Sequence, residues 1–327
     1  MNITRRAVAL GLAAALLQAL MLIAFAWPAV NLSPRDLPVA VAGPQAQLAA
    51  DTLARRDPDA FAIRTVADAE AARAALADRE VYGAIVTGQG APQVLVASAA
   101  SPAVATQLTQ LAQQISGAQA AAPVQDVVPA DPDDPRGAGF GAMVLPLVMA
   151  GIAAGVLLTL LVPGLGARLL GLASFAVFGG LISTAVFHGW LSIVPGGYGE
   201  LAAVAGLASF AVAGTVVGLA AVLGRPGIGL GALTMLLIGN PFSAATSAPE
   251  LLPQPWGALG QLFPPGAAAS LLRSVAFFDG AGAGAPLLVL LGWAAAGVVA
   301  LGVAALRARG ACDTGDVAER TPVAVSA

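Results

Sequence analysis

Residues able to do chemistry are few in this chain, and their types exclude more than they offer. There is one histidine, His188, one cysteine, Cys312, and no lysine; all fifteen basic side chains are arginine. A phosphate-binding loop of the form G-x-x-x-x-G-K-S/T needs a lysine on the phosphates, so no ATPase site of that kind can be built. A single histidine cannot make a zinc protease site. A lone cysteine forms no disulfide framework. Asp131, Asp133 and Asp134 lie close together but lack the spacing and terminal glutamate of a calcium loop, and read instead as a solvated acidic tether. Ser183, Thr184, Ser209 and Thr215 have no base near them and read as helix-packing hydroxyls. The chain is therefore predicted to be no enzyme, with no cofactor and no metal.

The elements that must carry these residues are mostly apolar. Of 327 residues, 58% are hydrophobic and 10% charged, against roughly 25% charged in an ordinary soluble domain. Mean hydropathy is +0.83. A soluble globule could not bury that much apolar surface, so the composition predicts a membrane protein. The net charge is −3, without a basic patch, which argues against nucleic acid as a partner. Arginine without lysine, with a heavy alanine and glycine load, reads as high-GC bacterial usage. The predicted location is accordingly a bacterial inner membrane.

Charge divides the chain. Residues 28–139 hold 19 of the 33 charged residues, while residues 140–306 hold six. The predicted plan is a first span over 1–27, an extracytoplasmic α/β domain and tether over 28–139, a five-helix block over 140–306, and a cytoplasmic tail over 307–327. The first span, AVALGLAAALLQALMLIAFAW, follows Arg5 and Arg6, which places the N-terminus inside. Ala24-Phe25-Ala26 has the form of a signal-peptide cleavage site, but the apolar run favours an uncleaved anchor. Further spans are expected near 140–162, 169–190, 201–223, 228–247 and 285–306. In this six-span plan the short inside segments carry Arg5, Arg6, Arg168, Arg225, Arg307 and Arg309, and the short outside loops carry only Arg273. That asymmetry puts both termini in the cytoplasm. Glycine pairs four apart, at 151/155, 214/218 and 227/231, predict close packing of helices within the chain.

Within 28–139, strands are expected at Leu37–Ala42, Phe61–Val66, Val81–Thr87 and Gln93–Ser98. Helices are expected from Gly43-Pro44 to about Arg56, from an Asp68 cap to about Arg79, and from a Ser101 cap to about Gly117. Residues 118–139 read as a tether. Between the last two spans, about 250–278, the chain is too apolar for a loop and too rich in proline for a span. Two short re-entrant or interfacial helices are predicted there, split at Pro264-Pro265-Gly266, because irregular backbone at membrane depth survives only against protein or a cavity. Asn240, Pro241, Pro264, Pro265 and Arg273 are the candidate transport-path or gate residues, with Arg273 placed near the outer surface.

One span, a large exported domain, then five spans with short helices before the last: this order resembles the permease subunit of type-2 ABC exporters, in the bacterial subgroup with an extracytoplasmic domain after the first span. The stretches REVYGAIV (79–86) and NPFSAATSAPELLPQPWGALGQLFPPGAAASLLRS (240–274) carry the resemblance. It implies a homo- or heterodimer of permeases working with a separate cytoplasmic ATPase and moving an amphiphilic substrate outward. Only six residues precede the first span, and the loop Pro163–Arg168 is short, which leaves little surface for an ATPase. Two other readings share parts of the layout. A proton-driven RND-like half-unit needs buried acids in its spans, and the span interiors have none. A membrane scaffold whose exported domain binds a partner needs no such residues.

Overall fold

The computed structural model describes residues 3–88, 91–116 and 123–319. Gln89, Gly90, part of the predicted tether and the tail beyond Glu319 lie outside them.

The charged segment between the first apolar helix and the apolar block folds into a five-stranded sheet in the order β2-β1-β3-β4-β5. Strand β1 is Leu37–Ala42, β2 Phe61–Val66, β3 Gly83–Val86, β4 Gln93–Val96 and β5 Val124–Asp126. β1 runs parallel to β2 and to β3, with Leu37 opposite Phe61 and Val39 opposite Gly83. β3 and β4 are antiparallel, and β4 and β5 parallel. Helix α2 (Ala46–Arg56) links β1 to β2, α3 (Ala69–Ala77) links β2 to β3, and α4 (Pro102–Ser116) follows β4. Asp68 caps α3 as predicted, accepting from the backbone N–H of Glu70 and Ala71, an interaction that contributes about 1 kcal/mol.

Three local expectations are corrected. α2 starts at Ala46, not at Gly43-Pro44. Gly43 takes a positive φ of 94°, and a Cβ there would stand 2.1 Å from the Thr87 carbonyl oxygen, so the turn presses on β3's exit. The tether supplies β5, whose pairing with β4 no local pattern in Val124–Asp126 announces. Asp134 is not solvated: it is buried, and its carboxylate accepts from the Phe140 N–H at the start of the next helix.

The apolar block is helical. Among the described residues, five helices are long and apolar enough to cross a membrane: Ile3–Val30 (α1), Ala138–Leu161 (α5), Leu165–Trp190 (α6, whose last turn from Ala185 is π-helical), Tyr198–Leu223 (α7) and Gly284–Arg309, within the longer α11 (Gly284–Glu319). The fifth expected span, 228–247, is not a long helix. Its place is taken by α8 (Arg225–Leu233) and a six-residue π-helical turn to Gly239. At ~1.5 Å per residue this reaches roughly 22 Å, short of a ~30 Å hydrocarbon core. Pro241 has no N–H to continue the ladder, and the apolar residues after it form turns, so hydropathy alone overran the helix.

α7 forms the centre of the bundle, buried along most of its length. Small residues make this close packing feasible. A Cβ on Gly180 would stand 2.3 Å from the Ala202 carbonyl oxygen of α7, and one on Gly218 would meet Gly297 of α11 at 3.1 Å. The glycine pairs singled out in the sequence serve these intramolecular seams: Gly151 and Gly155 face Val212 and Val216, and Gly227 and Gly231 face Leu219 and Val216. Arg168 lies in the first turn of α6 and donates to the Val162 and Thr159 carbonyls, closing the free end of α5.

Candidate functional site

Residues 240–278 form a folded plug at the end of the bundle that carries the α/β domain. Its elements are a 3-10 turn (Pro249–Leu251), the short helix α9 (Trp256–Gly260) and α10 (Pro264–Phe277). Pro264 and Pro265 occupy the first turn of α10, where a missing N–H costs nothing. Their packing brings the plug back on the π-helical turn after α8: a Cβ on Gly239 would stand 2.8 Å from Pro265.

Turns at 240–247 are clamped by side chains from the helices that follow. Gln261 Nε2 donates to the Ser243 carbonyl at 3.1 Å, Ser270 Oγ donates to Gln261 Oε1 at 2.7 Å, and Arg273 Nη2 donates to the Ala245 carbonyl at 3.0 Å. Phe242 stacks on Trp256 with centroids 5.1 Å apart. Trp293 of α11 donates to the Leu262 carbonyl and packs on Phe263. All five candidate residues thus belong to one unit, but they face two ways.

Asn240 and Pro241 line a cavity of about 240 Å³ with Pro28, Ala29 and Leu32 at the end of α1 and Val144 and Leu145 on α5. Arg273 points elsewhere. It lies on the second helix, as predicted, but is only 5% exposed. Its guanidinium stands 4.6 Å over the Phe140 ring, a contact that contributes ~0.5–2 kcal/mol depending on desolvation.

Around Arg273 the plug meets the α/β domain. Arg79, in a left-handed conformation (φ 58°) just after α3, reaches across to α10. Its Nη1 donates to the Ser270 carbonyl at 3.1 Å and to Ser274 Oγ, and its guanidinium lies 5.2 Å over Phe278. Burial lowers the Arg79 pKa, and Tyr82 and Glu250 pull it back up. Burial pushes the Tyr82 phenol well above the usual tyrosine range, and Glu250, through its charge and a hydrogen bond, pushes the same way. Tyr82 is therefore neutral and able to donate. The linker completes the seam, with the N–H of Ser33 and Arg35 donating to the Leu251 and Glu250 carbonyls. Two buried atoms at this junction, Glu250 Oε2 and Arg273 Nε, have no hydrogen-bond partner among the described residues.

Sequence reasoning missed Arg79, Tyr82, Glu250 and Ser274 as site residues. A signal was present, since Arg79 and Tyr82 open the stretch 79–86, and Glu250 and Ser274 lie in the stretch 240–274. The two stretches on which the family resemblance rests are joined in space by these contacts. No protein-family model, no curated protein and no solved structure matches the chain.

Proposed function

We propose that this chain is the permease subunit of an ABC-type exporter in a bacterial inner membrane. It would act as a homo- or heterodimer with a separate cytoplasmic ATPase, residues 28–139 outside and both termini inside. The observation that carries the reading is the junction: the exported domain is joined by Arg79, Tyr82 and the 33–35 linker to the plug between the last two membrane segments. Plug and domain then move as one body. A shift of α8 or α11 against α7 would be passed to the cavity at Asn240 and Pro241 and to the outside domain together. Unsatisfied buried polar atoms cost about 1–3 kcal/mol each. A seam that retains them, at Glu250 and Arg273, is suited to two alternative packings.

An external energy source fits the chemistry. This chain has no lysine for a phosphate loop and no acid in its span interiors, where a gradient-driven carrier needs ionisable groups. The test is purification in mild detergent, then transport in vesicles. Export that needs ATP and a co-purifying nucleotide-binding subunit, and that survives an uncoupler, supports the proposal. Transport by the purified chain alone on a proton or sodium gradient overturns it in favour of an RND-like carrier. A stable complex with an envelope protein and no transport overturns it in favour of a scaffold. The orientation fails separately if a reporter fused at Gly137 reports the cytoplasm.

A further inference from the structure

Between α2 and α4 the exported domain encloses a cavity of about 240 Å³. Val39, Ile85 and Val94 form its floor, and Leu48 and Leu111 stand on its walls. The two helices both turn apolar faces to the sheet but stay apart across this space. They are tied at one end by Arg56 Nη2 donating to Gln114 Oε1 at 3.0 Å. Protein interiors otherwise pack like organic crystals, with few voids larger than a water. Leu48, on the cavity wall, remains 60% exposed.

We propose that this cavity is a binding site for a free single-chain anionic amphiphile of medium length, such as a fatty-acid anion. The lining selects an apolar chain. The volume lies below the ~300–1,000 Å³ of sites for drug-sized ligands, which suits one chain and excludes a two-chain lipid. The charge comes from Arg56, which lines this cavity and also the adjoining one with Asp57, Gln107 and Gln110. Arg55 precedes it in the last turn of α2. A pair of arginines here is against the trend of a segment with seven arginines and twelve acids. Arg56 forms no ion pair among the described residues. At the opposite end the polar groups are already committed: Thr87 Oγ1 donates to the Ala42 carbonyl and accepts from the Gln45 N–H. An anionic head therefore belongs at Arg56, with its chain running toward Thr87. The site stands independently of the transport reading.

Full-length protein in zwitterionic lipid nanodiscs is titrated with decanoate, and separately with decanol, while amide hydrogen exchange is followed. Decanoate should slow exchange in α2 and α4 at least threefold, saturably, and leave the transmembrane helices unchanged. Arg56→Gln should weaken decanoate about tenfold and decanol less than twofold. Ala49→Trp, which fills the cavity from α2, should abolish the protection by both; unchanged exchange in β1 and β3 of this variant shows that the domain is folded. No protection by decanoate overturns the site. So does equal protection in a folded Ala49→Trp variant, or protection only when anionic two-chain lipid is placed in the disc.

Discussion

The two faces of the five-stranded sheet are built from different residues and end differently. The face toward α3 is lined by Ala40, Ala42, Ala84, Leu95 and Ala97, and α3 meets it with Ala72, Ala75 and Leu76. Short side chains on both partners let helix and sheet approach closely, and Phe278 of the plug closes the end. The face toward α2 and α4 carries Leu37, Val39 and Val94, and where α2 and α4 diverge it leaves a cavity. Only its linker end is sealed, by Ala248 and Leu251. One face is thus closed by short side chains and the plug, and the other, which meets the plug only through Ala248 and Leu251, keeps space beneath its helices. The difference teaches that alanine here is a docking residue: it gives up side-chain area in return for proximity of backbones.

The sharpest way to break this comparison is to place the same bulk on each face. Ala40 is fully buried, so Ala40→Phe must displace α3 or Phe278 and should cost about 3 kcal/mol, at the upper end of overpacking effects. Ala49→Phe, at the cavity, should be neutral or stabilising. Amide exchange of β1 in the two variants measures both, and equal destabilisation would remove the distinction between the faces.

A smaller effect is expected at the charged tie to the plug. Arg79→Ala loses charge-assisted hydrogen bonds to Ser270 and Ser274 and the Phe278 contact, for about 2 kcal/mol. Exchange should rise together in β3 and α10, and not in α2. Arg79→Lys should recover little, because a single ammonium does not combine these hydrogen bonds with the flat contact on the ring. An increase confined to β3 would show that the plug does not depend on the domain.

The smallest effect is at Tyr82. Tyr82→Phe removes the phenol whose proton the neighbouring Glu250 charge helps to hold, at a cost of about 1 kcal/mol near neutral pH. The pH dependence has a definite sign. The folded phenol holds its proton above the ordinary value of about 10. The stability it contributes is complete below that value and is lost as pH rises above it, where the unfolded chain ionises first. The tyrosinate difference spectrum between wild type and Tyr82→Phe should stay flat to pH 11 while the protein is folded. A tyrosinate signal at pH 10 would show that the phenol is open to water.

Legibility followed locality. Leu37–Ala42 and Phe61–Val66 were readable to the residue, because apolar runs bounded by turn residues need no distant partner to be recognised. Asp68 and the Ser101-Pro102 start of α4 were readable for the same reason. The strand Val124–Asp126 was not, since its three residues are exposed and are ordered by hydrogen bonds to β4. The expected span over 228–247 failed where hydropathy continues past the last helical hydrogen bond. Of the candidate residues, the segment was legible from its prolines, but the direction of Arg273 was not. An arginine in a loop-like apolar stretch is ordinarily assigned to an interface, and its burial under Phe140 depends on α5.

By itself the sequence determined the class of this protein. Its apolar content demands a bilayer, its charge distribution separates a polar domain from a helical block, and its lack of lysine excludes a phosphate loop. These are properties of composition and spacing, and they hold in any arrangement. The tertiary structure alone decided that residues 79–82 and 250–274 share one seam, that the sheet has a sealed and an open face, and that the fifth membrane segment stops at Gly239. The seam and the two faces depend on which surfaces meet between segments that are not neighbours in the chain. Such meetings are set by shape and by the hydrogen-bond needs of buried groups, which no local pattern records.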